Sequence, residues 1–164
     1  MTEAYAFLFQ RLGEFPDAIA CDLSREQSSE LLRRAELLRL YLRRRYAAKF
    51  LYESLVFSLP SGAAMAGAYS ETFGYHMGLR HRPEEYLSEI DIGFYCVNYL
   101  RAWALEDLLR RHLESEFGRS WRNQAQVYPL LREFWRHGQR YGAEGLARDL
   151  GGQELCFDRA ALAT

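Results

Sequence analysis

Two tyrosines, Tyr95 and Tyr99, stand one helical turn apart in the stretch IGFYCVNYLRAW, residues 92–103, and Arg101 follows two positions later. Side chains at i and i+4 share a helix face, so a phenol pair at this spacing can donate two hydrogen bonds to an oxyanion forming above it. The same spacing equally suits two half-buried aromatics that keep their hydroxyls wet. Glu3 is the second candidate. It opens EAYAFLF, an acid ahead of six consecutive apolar residues, the pattern of a helix buried on most sides. A carboxylate there calls for a cation, a hydrogen-bond network or a metal. It is also what the dipole favours in a helix's first turn.

The remaining chemistry-bearing residues form no known constellation. His76, His81, His112 and His137 make neither an H-x-x-x-H pair nor H-E-x-x-H, so their spacing assembles no metal site. No Walker loop, G-x-G-x-x-G or G-x-S-x-G is present. The arginine-rich RRAELLRLYLRRR interleaves leucines, tyrosine and an acid with its bases, which describes a core-lining helix with a solvated arginine edge rather than a phosphate track.

The phenols must be held by a helix running from about Phe94 to Phe117 and ended by Gly118. With Glu106 taken as zero and 100° per residue, Asp107, Arg110, Arg111 and Glu114 fall between about 0° and 140° and make one charged face. Leu105, Leu108, Leu109 and Leu113 fall between about 200° and 340° and make the core face. Tyr95 and Tyr99 land near 340° and 20°, at the edge of the charged side, where hydroxyls point to water or a cleft. Arg101 lands near 220°, inside the apolar arc, where a guanidinium needs a buried counter-charge or a ligand.

Four prolines and the lack of sustained alternation indicate an all-α protein, a multi-helix bundle forming a single domain over 1–164 or a piece of one. A first helix spans about Thr2 to Gly13 and stops at GEFPD. Ser24 and Gln27 make a capping box for a second helix that continues to about Ser58, long enough to act as a strut inside something larger. A third helix covers roughly Ala63 to Leu79, Pro83 starts a short turn, and a fifth helix runs from about Asn123 to Tyr141 with Pro129 as a possible kink. AEGLARDLGG gives a short sixth helix and DRAALA a last turn.

The chain's 164 residues carry a net charge of −1, which gives no basic field to draw it to nucleic acid or an anionic membrane. Lys49 is the only lysine. Cys21, Cys96 and Cys156 are odd in number and widely spaced, with no C-x-x-C pair, and suit a reducing, cytoplasmic setting. The opening MTEAYAFLFQRLGEF reads as neither signal peptide nor membrane span.

In the order of its segments, from TEAYAFLFQ through YLRRRYAAKFLYE and FYCVNYLRAWALEDLLRRHLESEFG to LLREFWRHGQRYGAEGLARDLG, the chain resembles the C-terminal part of zinc metallopeptidases of the oligoendopeptidase F and thimet oligopeptidase type. In that family an H-E-x-x-H helix supplies two zinc ligands and the catalytic glutamate, and a glutamate on the next helix is the third ligand. The resemblance makes Glu3 that third ligand. It implies that the H-E-x-x-H helix lies ahead of residue 1, on an N-terminal segment or a separate chain. FYCVNY is similar to the family's tyrosine-rich segment over the metal, which assigns Tyr95 and Tyr99 to substrate and the tetrahedral intermediate and Arg101 to substrate binding. Two departures stand out: SEIDIG occupies the place of a family histidine, and Val97 that of a tyrosine found in some members.

The implied activity is hydrolysis of peptide bonds, with zinc in the complete enzyme and none held by this chain alone. A chain of this kind is expected to be inactive by itself. The alternative is a non-catalytic helical module for binding or assembly, which exposes apolar surface and favours a homo-oligomer. Nucleic acid and membrane partners are not expected.

Overall fold

A computed structural model of the chain describes residues 2–14, 23–138, 140, 142–151 and 155. These residues form an all-α structure in which no strand occurs. The helices are α1 (Thr2–Leu12), α2 (Arg25–Val56), α3 (Gly62–Met77), α4 (Cys96–Phe117), α5 (Val127–Arg136) and α6 (Ala143–Asp149), with short 3-10 turns at Pro83–Glu85 and Trp121–Asn123. Among the described residues, no helix is long and apolar enough to cross a membrane. The expected DRAALA turn, the GEFPD break beyond Glu14, and Cys21 and Cys156 lie outside the described residues.

The long helix is set by its ends. Ser24 Oγ accepts the Gln27 N–H at 3.2 Å while Gln27 Oε1 accepts the Ser24 N–H at 2.9 Å, a reciprocal capping box. The next 32 residues contain neither glycine nor proline, so nothing interrupts the ladder for about 48 Å. Helix α3 repeats the logic, with Ser61 accepting the Ala64 N–H at 3.3 Å and Gly78 closing it in the left-handed region at φ 66°. Pro129 produces no kink. Helix α5 begins at Val127 rather than near Asn123, so the proline is its third residue, in the first turn where N–H groups have no helical acceptor.

The chain divides into two compact units, one of residues 22–100 and one of residues 1–21 with 101–164. In the 22–100 unit, Ala48, Tyr52 and Val56 of α2 pack on Tyr69 and Phe73 of α3. The rings meet at angles, Tyr52 to Tyr69 at 5.4 Å and Tyr69 to Phe73 at 4.8 Å between centroids. The Tyr52 hydroxyl donates to the Tyr86 carbonyl at 2.9 Å, and burial pushes its pKa up to about 12.

The other unit is built on the leucine face of α4. Leu105 and Leu109 join Ala4 of α1 and Ala143, Leu146 and Leu150 in and beside α6. One turn on, Leu113 joins Leu8, Trp121, Val127 and Leu131. The apolar arc expected of this helix is its core face. The opposite, charged side is only partly solvated, however: Glu106 and Asp107 are 1% and 4% exposed. They are buried as ion pairs, Glu106 with Arg11 at 2.9 Å, Asp107 with Arg111 at 3.3 Å and also with Arg110, which reaches Glu114 at 3.1 Å.

Because the capping box satisfies two orphan N–H groups of α2, Ser24→Ala is expected to cost about 1 kcal/mol. A urea titration followed by circular dichroism should show a lower midpoint at unchanged slope; an unchanged midpoint means that the cap carries no stability.

Candidate functional site

The segment ahead of α4 turns sharply before the helix starts. Gly93 has φ 70° and Phe94 φ 54°, a left-handed pair in which the phenylalanine is the strained member. Tyr95 follows in the turn, Cys96 opens the helix, and Tyr99 stands one turn along. The two phenol rings lie 5.6 Å apart at 79°, an edge-to-face contact. Tyr95 is 46% exposed and Tyr99 is half-buried, so the sequence pair is brought together with one side open.

A third phenol joins them that sequence reasoning missed. Tyr46 of α2 lies 4.9 Å from the Tyr99 ring, and the Arg45 guanidinium stands 5.8 Å from the centre of the Tyr46 ring. Burial, and then the neighbouring Tyr99, raise the Tyr46 pKa, so its phenol keeps its proton at neutral pH. The only signal for it was the i, i+4, i+8 series Arg45, Lys49 and Glu53, which aligns one face of the long helix beside Tyr46.

That face holds the tyrosine segment in place. Glu53 is fully buried; its Oε1 accepts the Asp91 N–H at 2.6 Å and its Oε2 accepts the Cys96 S–H at 3.2 Å. Lys49, 6% exposed, places Nζ 3.0 Å from Asp91 Oδ1 and 3.9 Å from Glu89. Arg45 donates to Glu89 at 2.7 Å. Farther along, Phe94 meets Phe57 at 5.8 Å. Two cations thus face two carboxylates, Glu89 and Asp91, while Glu53 beside them is satisfied by a backbone N–H and a thiol; buried charge persists only when it is so partnered. Burial, reinforced by the hydrogen bond to Glu53, pushes the Cys96 thiol up to about 12. It is a structural donor rather than a nucleophile.

Arg101 departs from expectation. Its side chain is 43% exposed instead of buried, and it pairs with Glu144 of α6. The apolar arc ends near its position, and the packing of Ala143 and Leu146 on Ala102 and Leu105 brings the first turn of α6 alongside. The Glu144 backbone N–H, and then Arg101, hold that carboxyl below its usual value. Arg101 thus forms an exposed ion pair rather than a buried one.

Glu3 sits half-buried in the first turn of α1 and belongs to the unit of residues 1–21 with 101–164, whereas Tyr95 and Tyr99 belong to the 22–100 unit. Among the described residues, no group of three or more histidine, cysteine, aspartate or glutamate side chains could hold a metal ion. His81 is wedged against Phe73 and Tyr69, with the Tyr69 hydroxyl 3.4 Å from its Nδ1, and His137 pairs with Glu133 at 3.5 Å. What the arrangement can do chemically is present phenol O–H donors from a rigid edge. No family model matches the chain, and neither a curated protein nor a solved structure matches it.

Because the Cys96 thiol is raised above its ordinary value near 9, it favours the protonated folded state. That stability is complete below about pH 9 and is lost as pH climbs toward 12. In a chain with Cys21 and Cys156 replaced by serine, Cys96 is expected to resist a thiol reagent at pH 8 until urea unfolds the protein. Rapid stoichiometric labelling of the native chain contradicts the buried donor.

Proposed function

We propose that this chain is part of a zinc oligopeptidase, to which it supplies the phenol donors Tyr95 and Tyr99 and, by the family resemblance, one metal ligand, Glu3. The H-E-x-x-H element comes from another segment or chain. The observation that carries this reading is the tyrosine pair itself, edge to face, open on one side, on a segment bonded to the buried Glu53 at Asp91 and Cys96. A zinc site takes about three protein ligands, and the described residues offer no such set, so the metal enters only as shared with the partner element. Bound there, zinc supplies an activated water and polarises the scissile carbonyl.

The chain's own part is donation and orientation. Phenols held by packing donate to a carbonyl oxygen as it gains charge, and a donor already oriented needs no reorganisation at that moment. Packing of Tyr99 edge to face on Tyr95 and at a tilt of 48° on Tyr46 restricts its ring, and with it where the hydroxyl oxygen stands. The substrate is a peptide, and the family resemblance assigns Arg101, paired here with Glu144, to holding it.

A second reading, a non-catalytic assembly module, is favoured by one separate observation. Leu31, Leu37, Leu38, Leu40 and Tyr41, in the N-terminal half of α2, are all 40% exposed or more. A helix with that much uncovered apolar surface suits a partner helix or a second copy of the chain.

Co-expression with an H-E-x-x-H segment, followed by metal analysis and hydrolysis of a quenched fluorescent peptide, separates the two. A catalytic part gives a zinc-bearing complex whose metal is lost on Glu3→Gln and whose kcat falls about 100-fold on Tyr99→Phe with KM little changed. Zinc content indifferent to Glu3→Gln, or full turnover without the Tyr99 hydroxyl, removes these residues from the mechanism. An assembly module instead gives a metal-free oligomer that Leu38→Glu dissociates in sedimentation.

A further inference from the structure

Both oxygens of one buried carboxylate are spent on the segment that carries the tyrosines. Glu53 takes the Asp91 N–H at 2.6 Å and the Cys96 S–H at 3.2 Å, and so pins the two ends of a six-residue stretch. Between those pins Phe94 meets Phe57, and the Phe94 and Tyr95 carbonyls accept the Val97 and Asn98 N–H groups at 3.0 Å. Yet Ile92 is fully exposed, Gly93 is open on all sides where a Cβ would stand, and Phe94 keeps a left-handed backbone that is strained for a bulky residue. A strained turn persists only where its surroundings over-determine it. Cys96 is also the first residue of α4, so the thiol's bond to Glu53 ties the start of that helix to α2. Tyr95 immediately precedes that residue and Tyr99 follows it by less than a turn.

We propose that Glu53 is the positioning residue of the Tyr95–Tyr99 pair: its two-pronged acceptance of the Asp91 N–H and the Cys96 S–H sets the turn, and through it the direction of both phenols. Its catalytic consequence rests on the peptidase reading above; its structural one does not. Lys49 completes the device by holding the Asp91 side chain at 3.0 Å while Glu53 holds that residue's backbone. The same aspartate is thus fixed by two groups one turn apart on α2. Glutamine at position 53 keeps an acceptor for the Asp91 N–H but turns an amide N–H₂ toward the thiol, so only one pin survives. Such a change shifts hydroxyl direction without emptying the core, and displacements of about 1 Å are enough to cost a catalytic group roughly 100-fold.

The test reads the tyrosines directly. Fluorotyrosine is placed at positions 95 and 99, with Tyr75, 82% exposed on α3, as the control, and fluorine NMR is recorded on the whole chain. In Glu53→Gln the resonances of Tyr95 and Tyr99 are expected to broaden and move toward each other as the edge-to-face contact averages out, while that of Tyr75 stays in place. Cys96→Ala, which removes only the thiol pin, is expected to do the same, and Cys96→Ser, which restores a donor, to recover the wild-type spectrum. Should Glu53→Gln fail to fold, the Cys96 pair decides alone. Unmoved Tyr95 and Tyr99 resonances in Cys96→Ala, or in a folded Glu53→Gln, overturn the proposal. In the assembly with an H-E-x-x-H segment, Glu53→Gln is expected to lower kcat about ten- to 100-fold at near-constant KM. An inactive wild-type assembly sinks the peptidase reading, and the fluorine spectra still decide the role of Glu53.

Discussion

A carboxylate sealed away from water must find donors or a counter-charge, and in this chain Glu53 finds a backbone N–H and a thiol on the segment across from it. Much of the 22–100 unit follows from that need. The acid sits on the same α2 face as Lys49 and Arg45, so one stripe of the long helix supplies a row of charges for Asp91 and Glu89. Tyr52 and Val56, on the neighbouring stripe, supply the apolar contact with α3. Helix α2 therefore has two jobs along its C-terminal half, and the absence of glycine and proline lets one rigid element do both. A loop that would otherwise lie loosely on the surface is clamped by charge rather than by apolar burial, which explains how its own side chains, Ile92 above all, can be left in solvent.

Helix α4 shows a complementary economy. Its first turn, residues 96–100, belongs to one compact unit and the rest to the other. Along that rest the leucine face is sealed by α1, α5 and α6, while Glu106 and Asp107 of the charged face are also buried, the first paired with Arg11 of α1 and the second with the helix's own arginines. Such a helix is poor in exposed surface yet rich in charge, which a wheel alone reads as a solvated side. The distinction lies in pairing. Asp107 with Arg110 and Arg111, at i+3 and i+4, carries its counter-charge within its own helix, and only that allows it to be covered.

What could be read from the sequence was local. The Ser24–Gln27 box, the glycine stop at 118, the uninterrupted α2 and the leucine face of α4 all depend on residues within a turn or two of one another, and each stands where its pattern indicated. The i, i+4 spacing likewise brought Tyr95 and Tyr99 into contact. What escaped depends on residues far apart in the chain. Tyr46 and Tyr99 are separated by 53 positions, and nothing local in either announces the other. Arg101 looked buried because its arc was apolar, and its exposure follows from Glu144 arriving on another helix. Pro129 misled for a smaller reason: moving the helix start by a few residues turns a kink into an ordinary first-turn proline. The relation of Glu3 to a metal rests on the family resemblance alone, since the charge beside a helix's first turn is explained as well by the dipole.

Lys49 carries an unintended convenience. It is the one side-chain amine in the chain, and it lies inside the ion cluster with 6% of its surface in solvent. Amine-directed acylation therefore finds no lysine at all while that cluster is shut. The rate at which this single site is modified clocks the opening of the charge clamp beneath the tyrosines, residue-specific and without any engineered label.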